Sequence, residues 1–230
     1  MLRDRVVVIT GAGRLGRALV RLFSQSEPGG LVVISRRAES LHALEVSGQP
    51  DASWWGLTAD LTQEAEVQAA FEAVHARWGR LDVLIHTVGT WAGSPLLETS
   101  LEAWEDLMRL NLNSAFLCFR EALRWMQPRR YGRLIAIASM QGLERGRSGQ
   151  AAYSASKAGL IRLVESVALE YWGSGITANA IAPSLIREAD QEGPGVSAEA
   201  VARLCLFLAQ EEAGAISGET LRIYGDYPIL

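Results

Sequence analysis

The chain has 230 residues, of which 49% are hydrophobic, and 22 basic against 26 acidic side chains give it a formal charge of −4. Such a composition excludes a disordered chain, and with no basic run longer than Arg129-Arg130 it argues against a nucleic-acid partner, whose phosphates need clustered positive charge. No apolar stretch approaches the length of a membrane span and no segment has the form of a signal peptide, so no membrane partner and a cytoplasmic location are expected.

The elements alternate between strand and helix. Val6–Thr10 is a short apolar run of the kind buried on both faces of a parallel sheet. It leads directly into Gly11-Ala12-Gly13-Arg14-Leu15-Gly16 and a helical pattern over Arg14–Ser26. Glycines at 11, 13 and 16 between a strand and a helix form a dinucleotide fingerprint: the turn is tight, a pyrophosphate can approach the backbone, and the helix start offers free N–H groups. The next strand, Leu31–Ser35, ends without the acid that an NAD-type site uses to hold the ribose 2′-hydroxyl. Arg36 and Arg37 follow Ser35 instead, and Arg14 sits in the turn. Guanidinium groups suit a 2′-phosphate, so NADP(H) is the expected cofactor, with NAD(H) the alternative.

Ser53–Ala59 is a weaker strand leading to Asp60-Leu61, where Asp60 is placed either to accept from an adenine amino group or to cap the helix over Gln63–Trp78. Gly79 stops that helix. Leu81–Thr87 is the fourth strand and Leu101–Met126 reads as one long helix ahead of Pro128. Arg133–Ala138 is the fifth strand, with Ser139 at its end; Ala151–Trp172 is helical up to Gly173. Ile176–Ile181 is the sixth strand, Gln191–Gly195 a loop, Ser197–Gln210 a helix with a serine cap, and Thr220–Tyr224 the last strand. The pattern implies one α/β domain over residues 1–230: a single-domain Rossmann fold, a doubly wound parallel sheet of about seven strands with helices on both faces. Ligands of such sheets bind beyond the carboxyl ends of the strands.

Chemistry concentrates there. Tyr153 and Lys157, four residues apart, share one helical face, and Lys157 is the one lysine in a chain otherwise rich in arginine. An ammonium beside a phenol favours phenolate and lowers the tyrosine pKa, which suits proton transfer near neutrality. Cys118 and Cys205 sit in apolar runs without metal-ligand spacing. They read as buried free thiols in a reducing compartment, and no metal is expected.

With the glycine turn, Leu110-Asn111-Leu112, the set of Ser139, Tyr153 and Lys157, and Ala178-Asn179-Ala180-Ile181-Ala182-Pro183, the chain resembles the short-chain dehydrogenase/reductase family over essentially its whole length. The resemblance implies hydride transfer between a nicotinamide and a small carbonyl or alcohol substrate. It makes Asn111, Ser139, Tyr153 and Lys157 the catalytic tetrad: Ser139 bonds the substrate oxygen, Tyr153 transfers the proton, Lys157 binds the nicotinamide ribose and tunes Tyr153, and Asn111 holds a water of the relay. Gly89, Pro183 and Ile186 join the cofactor-binding set, and a homodimer or homotetramer is implied.

Departures from the family pattern are equally plain. The glycine turn is one residue shorter than the common form, His86-Thr87-Val88-Gly89 replaces Asn-Asn-Ala-Gly, Ser184 follows Pro183, Glu188 replaces a threonine, and Tyr224-Gly225-Asp226 replaces Asp-Gly-Gly. His86 is read as a structural bridge to neighbouring backbone. The segment between Pro183 and Ser197, a helical lid in the family, is short, which leaves the missing wall to Trp91-Ala92-Gly93, to residues 141–149 or to a neighbouring subunit. Two alternatives stay open: a pteridine-type imine reductase with Trp91 stacked on a flat ring, and a catalytically silent NADP(H)-binding sensor or scaffold.

Overall fold

The computed structural model describes residues 2–46, 54–187 and 193–228. In chain order its elements are β1 (Val6–Thr10), α1 (Arg14–Ser24), β2 (Gly30–Ser35), α2 (Ala38–Val46), β3 (Trp54–Thr58), α3 (Glu64–Trp78), β4 (Val83–His86), α4 (Leu101–Met108), α5 (Ser114–Met126), β5 (Gly132–Ile137), α6 (Met140–Leu143), α7 (Ala151–Glu170), β6 (Ile176–Pro183), β7 (Ile186–Arg187), β8 (Val196–Ser197), α8 (Ala198–Ala209) and β9 (Thr220–Ile223). Seven strands form one parallel sheet in the order β3-β2-β1-β4-β5-β6-β9, the Rossmann-like arrangement expected. Strand order reverses between β1 and β4, which opens a crevice at their carboxyl ends.

The period of two along each strand sorts the core. Val6 and Val8 of β1 pack with Val67 and Phe71 of α3, Phe119 of α5 and Leu160 of α7. Val7 and Ile9, pointing the other way, pack with Leu19 and Phe23 of α1 and Val201 of α8. Each fully buried side chain of this size contributes roughly 1.5–3 kcal/mol, and continuous apolar strands are what a sheet covered on both faces requires.

The helix ends follow local chemistry. Gly79 takes a left-handed φ of 66° and its N–H closes the last turn of α3 on the His75 carbonyl. Ser197 caps α8 by accepting from the Ala200 N–H. Two expectations change. The long helix over Leu101–Met126 is broken by a widened turn at Arg109–Asn113, in which the Ser114 N–H reaches back five residues to Arg109. Asp60 does not cap α3, whose N-cap is Gln63; its Oδ1 accepts from both the N–H and the hydroxyl of Thr62, closing a turn of its own. After Pro183 the described residues add one short pairing, Ile186–Arg187 in parallel with Val196–Ser197. Ser53, Glu188 and the start of the 191–195 loop lie outside the described residues.

Candidate active site

The glycine turn is shaped by close approaches. Gly11 has φ +91°, and a Cβ there would sit 2.7 Å from Thr87 Oγ1; at Gly16 it would meet the Gly11 carbonyl oxygen at 2.1 Å. A Cβ at Gly13 meets no atom within 4 Å, so the turn is closed underneath and open on the outside. Helix α1 then begins without a side-chain cap and without an acid in its first turn, leaving its N-terminal N–H groups and positive dipole end for an anion. A cavity of about 490 Å³ lies over this turn, lined by all of Gly11, Gly13, Arg14, Leu15, Gly16, Ser35, Arg36, Arg37, Asp60, Leu61 and Gly89. These groups fit a dinucleotide: small residues under the phosphates, an uncapped helix start, and polar groups beyond β2.

Among these, Arg36 and Arg37 are exposed at the end of β2. Asp60 feels burial, which raises its pKa, but the hydrogen bonds from Thr62 and the charges of Arg36 and Arg109 outweigh it and hold the carboxyl below its ordinary range. Arg14 lines the same cavity but departs from the expected convergence on the adenosine end, since one of its nitrogens donates across the crevice to the Ile186 carbonyl.

A second cavity of about 560 Å³ shares Thr87, Gly89 and Thr90 with the first, and holds Ser139, Tyr153, Lys157, Pro183 and Ile186 on its walls. The two make one cleft along the carboxyl ends of the strands. Ser139, just past β5, is the N-cap of α6 and accepts from the Gln141 N–H. Tyr153 and Lys157 are one turn apart on α7. Burial pushes the Tyr153 phenol above its ordinary pKa, and a hydrogen bond from Ser139 pulls it part of the way back. The expected downward pull of Lys157 is therefore not what dominates. Lys157 is itself buried, its pKa lowered to about 8 by desolvation, and its Nζ donates to the Ile137 carbonyl at 2.9 Å.

Asn111 lies behind this wall rather than on it. The side chain is fully buried in the widened turn. Its Oδ1 accepts from the Thr90 N–H at 2.7 Å, and its Nδ2 donates to the Thr90 carbonyl and to Ser156 Oγ, each at 3.0 Å. A Cβ on Gly89 would lie 2.8 Å from that Oδ1 and 3.1 Å from Lys157 Nζ. A glycine is what lets the chain pass between these two groups.

His86, at the end of β4, bridges two hydroxyls rather than backbone: Thr10 Oγ1 at Nδ1 (3.0 Å) and Ser114 Oγ at Nε2 (3.1 Å). The missing wall has a source that the sequence did not reveal. Trp91, Gln141 and Arg147 do line the second cavity, and so does Tyr227. Gly225, at φ +61° and packed against Gly195, turns the C-terminal segment back over the site. Asp226 accepts there from the Gly195 N–H at 2.8 Å, and the Tyr224 hydroxyl donates to Glu144 at 2.8 Å. Only a fold-back through a glycine turn brings Tyr227 there, and no spacing in the sequence signals it.

Known proteins resemble the chain in sequence and fold. The family described as short chain dehydrogenase matches residues 5–194, and the chain belongs to that family, whose members are NAD(P)-dependent oxidoreductases. It is 33% identical over 183 residues to the 3-oxoacyl-(acyl-carrier-protein) reductase FabG of Escherichia coli (strain K12), covering 79% of this chain and 73% of that one. It is 36% identical over 186 residues to the cis-4-hydroxycyclohexanecarboxylate dehydrogenase of Sinomonas cyclohexanicum, covering 78% and 72%. The crystal structure of levodione reductase superposes with a TM-score of 0.90 at 27% identity over 98% of both chains. No helix among the described residues is long and apolar enough to cross a membrane.

Proposed function

We propose that this oxidoreductase is an NADP(H)-dependent enzyme that interconverts a small carbonyl compound and its alcohol, built as one cofactor-binding domain over residues 1–230 and working as a cytoplasmic homo-oligomer. The observation that carries it is the meeting of Ser139, Tyr153 and Lys157 on the wall of a cavity that opens into the cavity over the glycine turn. Bound nicotinamide supplies the hydride chemistry. Tyr153 holds the proton for the substrate oxygen, and Ser139 donates to that same oxygen, which stabilises charge developing on it. Lys157, a buried cation four residues from Tyr153, steadies the ribose beside the phenol and favours its ionised form when the cleft is filled. Asn111 acts as a positioning residue: it fixes the Thr90 backbone, and Gly89 with it, at the junction of the two cavities.

The 2′-phosphate reading rests on Arg36 and Arg37. Both are exposed at the mouth of the nucleotide cavity, no acid stands at the end of β2, and Asp60 is already engaged with Thr62. Cys118 and Cys205 are buried free thiols, which suits a reducing compartment.

Purified protein titrated with NADPH and NADH, with nucleotide fluorescence as the signal, reads the cofactor. Absorbance loss with a panel of ketones, aldehydes and quinonoid pterins, run beside Tyr153→Phe, reads the chemistry. Tighter NADPH binding is expected, with turnover falling at least about a hundredfold in Tyr153→Phe, the scale of a lost general acid. Preference for NADH would overturn the assignment of Arg36 and Arg37. Turnover that survives in Tyr153→Phe would overturn the role of the phenol, and turnover of the pterins alone would make the enzyme an imine reductase.

A further inference from the structure

The substrate side of the cleft is electrostatically one-sided. Among the described residues lining it there is no aspartate or glutamate, and the cations are Lys157 and Arg147. Lys157 is buried, bonds the Ile137 carbonyl, and in the reading above serves the ribose and Tyr153. Arg147, in the segment between α6 and α7, donates from Nη1 to the Tyr227 hydroxyl at 3.1 Å, with its guanidinium carbon 5.7 Å from the centre of that ring.

No carboxylate pairs with Arg147 among the described residues. The acids that the same part of the chain supplies are engaged elsewhere. Glu144 accepts from Tyr224 and faces Arg222 at 3.6 Å, and Asp226 holds the Gly195 N–H and Arg187. A guanidinium offers five N–H donors in a planar fork that matches the two oxygens of a carboxylate. Tyr227 spends a lone pair on Arg147 and keeps its own O–H to donate. The Trp91 ring, 59% exposed, adds an apolar face to the same cavity.

We propose that Arg147 and Tyr227 form an anion subsite that receives a carboxylate carried by the substrate, away from the carbonyl that meets Ser139 and Tyr153. The substrate is then a keto acid or hydroxy acid rather than a neutral ketone or alcohol. This inference rests on the oxidoreductase reading above for what happens at the other end of the molecule, and on the Arg147–Tyr227 pair on the cavity wall for the charge. Water displaced as the cavity fills strengthens the pairing, because charges attract more strongly in a drier site.

The test needs no turnover. Titration calorimetry of the wild-type protein, with and without NADPH, compares cyclohexanecarboxylate with the neutral cyclohexanecarboxamide. The carboxylate is expected to bind at least about tenfold more tightly, the effect of one partnered charge in a partly closed site. Arg147→Gln removes that preference, Arg147→Lys keeps part of it, and Tyr227→Phe weakens carboxylate binding a few-fold. The same change at Arg145, which does not line the cavity, leaves the ratio intact. Equal affinity for the two compounds in the wild type, or a preference that survives Arg147→Gln, overturns the subsite. Should Arg147→Gln fail to fold, Arg147→Lys and Tyr227→Phe decide the matter by the same ratio. A carboxylate preference in a protein that oxidises NADPH with no carbonyl compound would sink the oxidoreductase reading and leave the subsite standing. Turnover of neutral ketones without any charge preference would do the reverse.

Discussion

His86 shows how a residue in a family position can change its chemistry and keep a structural task. The Ser114 hydroxyl donates to the Leu110 carbonyl at 2.7 Å and the Thr10 hydroxyl oxygen accepts from the Thr87 N–H at 3.1 Å. Ser114 Oγ therefore accepts from Nε2–H, and the Thr10 O–H donates to Nδ1. Every proton has a place with the ring neutral, and a second ring proton would face a donor. Burial, assisted by the charge of Lys157, accordingly lowers the His86 pKa to about 3. In the unfolded chain the imidazole takes up a proton below its ordinary 6.5, whereas the folded one stays neutral down to about 3. The unfolded state binds more protons in that window, so stability is present above it and is lost as pH falls. Urea denaturation of the wild type and His86→Asn from pH 7 to pH 4 measures this. The wild type is expected to lose on the order of 1.4 kcal/mol per pH unit more than the variant, and parallel curves would show that His86 is not held neutral.

At the scale of elements, the widened turn at Arg109–Asn113 joins the helical layer to the crevice. The extra residue in that turn accompanies the burial of Asn111, whose three hydrogen bonds tie Thr90, after β4, to Ser156 on α7. Asn111→Leu strips all three and leaves the Thr90 backbone groups unpaired beside a wall of the cleft. Thr90 is exposed, so water takes up part of what the amide supplied, and the expected loss lies near the lower end of the about 1–3 kcal/mol that an unsatisfied buried group costs, read as a lower urea midpoint at unchanged m. A variant as stable as the wild type would mean that water replaces the amide at Thr90. The turn is also where legibility in the sequence ended. Strands showed themselves because a sheet covered on both faces demands short, continuous apolar runs, and the helix stops at Gly79 and Gly173 are chemical. A π-type break leaves apolar spacing nearly unchanged, so Leu101–Met126 reads as one helix. Among the described side chains of helix α2, Leu41 and Leu44 are the buried apolar ones, too short a stripe to stand out, and Tyr227 reaches the cleft through backbone conformation at Gly225, which no periodicity encodes.

Over the whole molecule, the sheet is covered on both faces, yet apolar surface remains outside the core. Phe116 on α5 is 46% exposed, Leu169 near the end of α7 is 73% exposed, and Trp172 just beyond it is 74% exposed. Isolated exposed side chains of this kind are ordinary, but large ones on the two helices that pack the same sheet face mark a surface suited to association. The sheet's edge strand β9 pairs only with β6 among the described residues, while the chain beyond it folds back on the site instead of extending the sheet. The homodimer or homotetramer implied by the family is therefore expected to form through the outer faces of α5 and α7. Placing a carboxylate there buries an unpaired charge on assembly, which costs several kcal/mol. Sedimentation of the wild type should give the mass of two or four chains, and Leu169→Glu combined with Trp172→Glu should move it towards one chain, without loss of the helical signal. A wild type that sediments as a single chain at micromolar concentration would assign these faces to solvent. An assembly untouched by both substitutions would place the contact elsewhere. In either case Arg147, Trp91 and Tyr227 stand on the same chain as Ser139 and Tyr153, so the subsite they form is expected to survive the change of assembly.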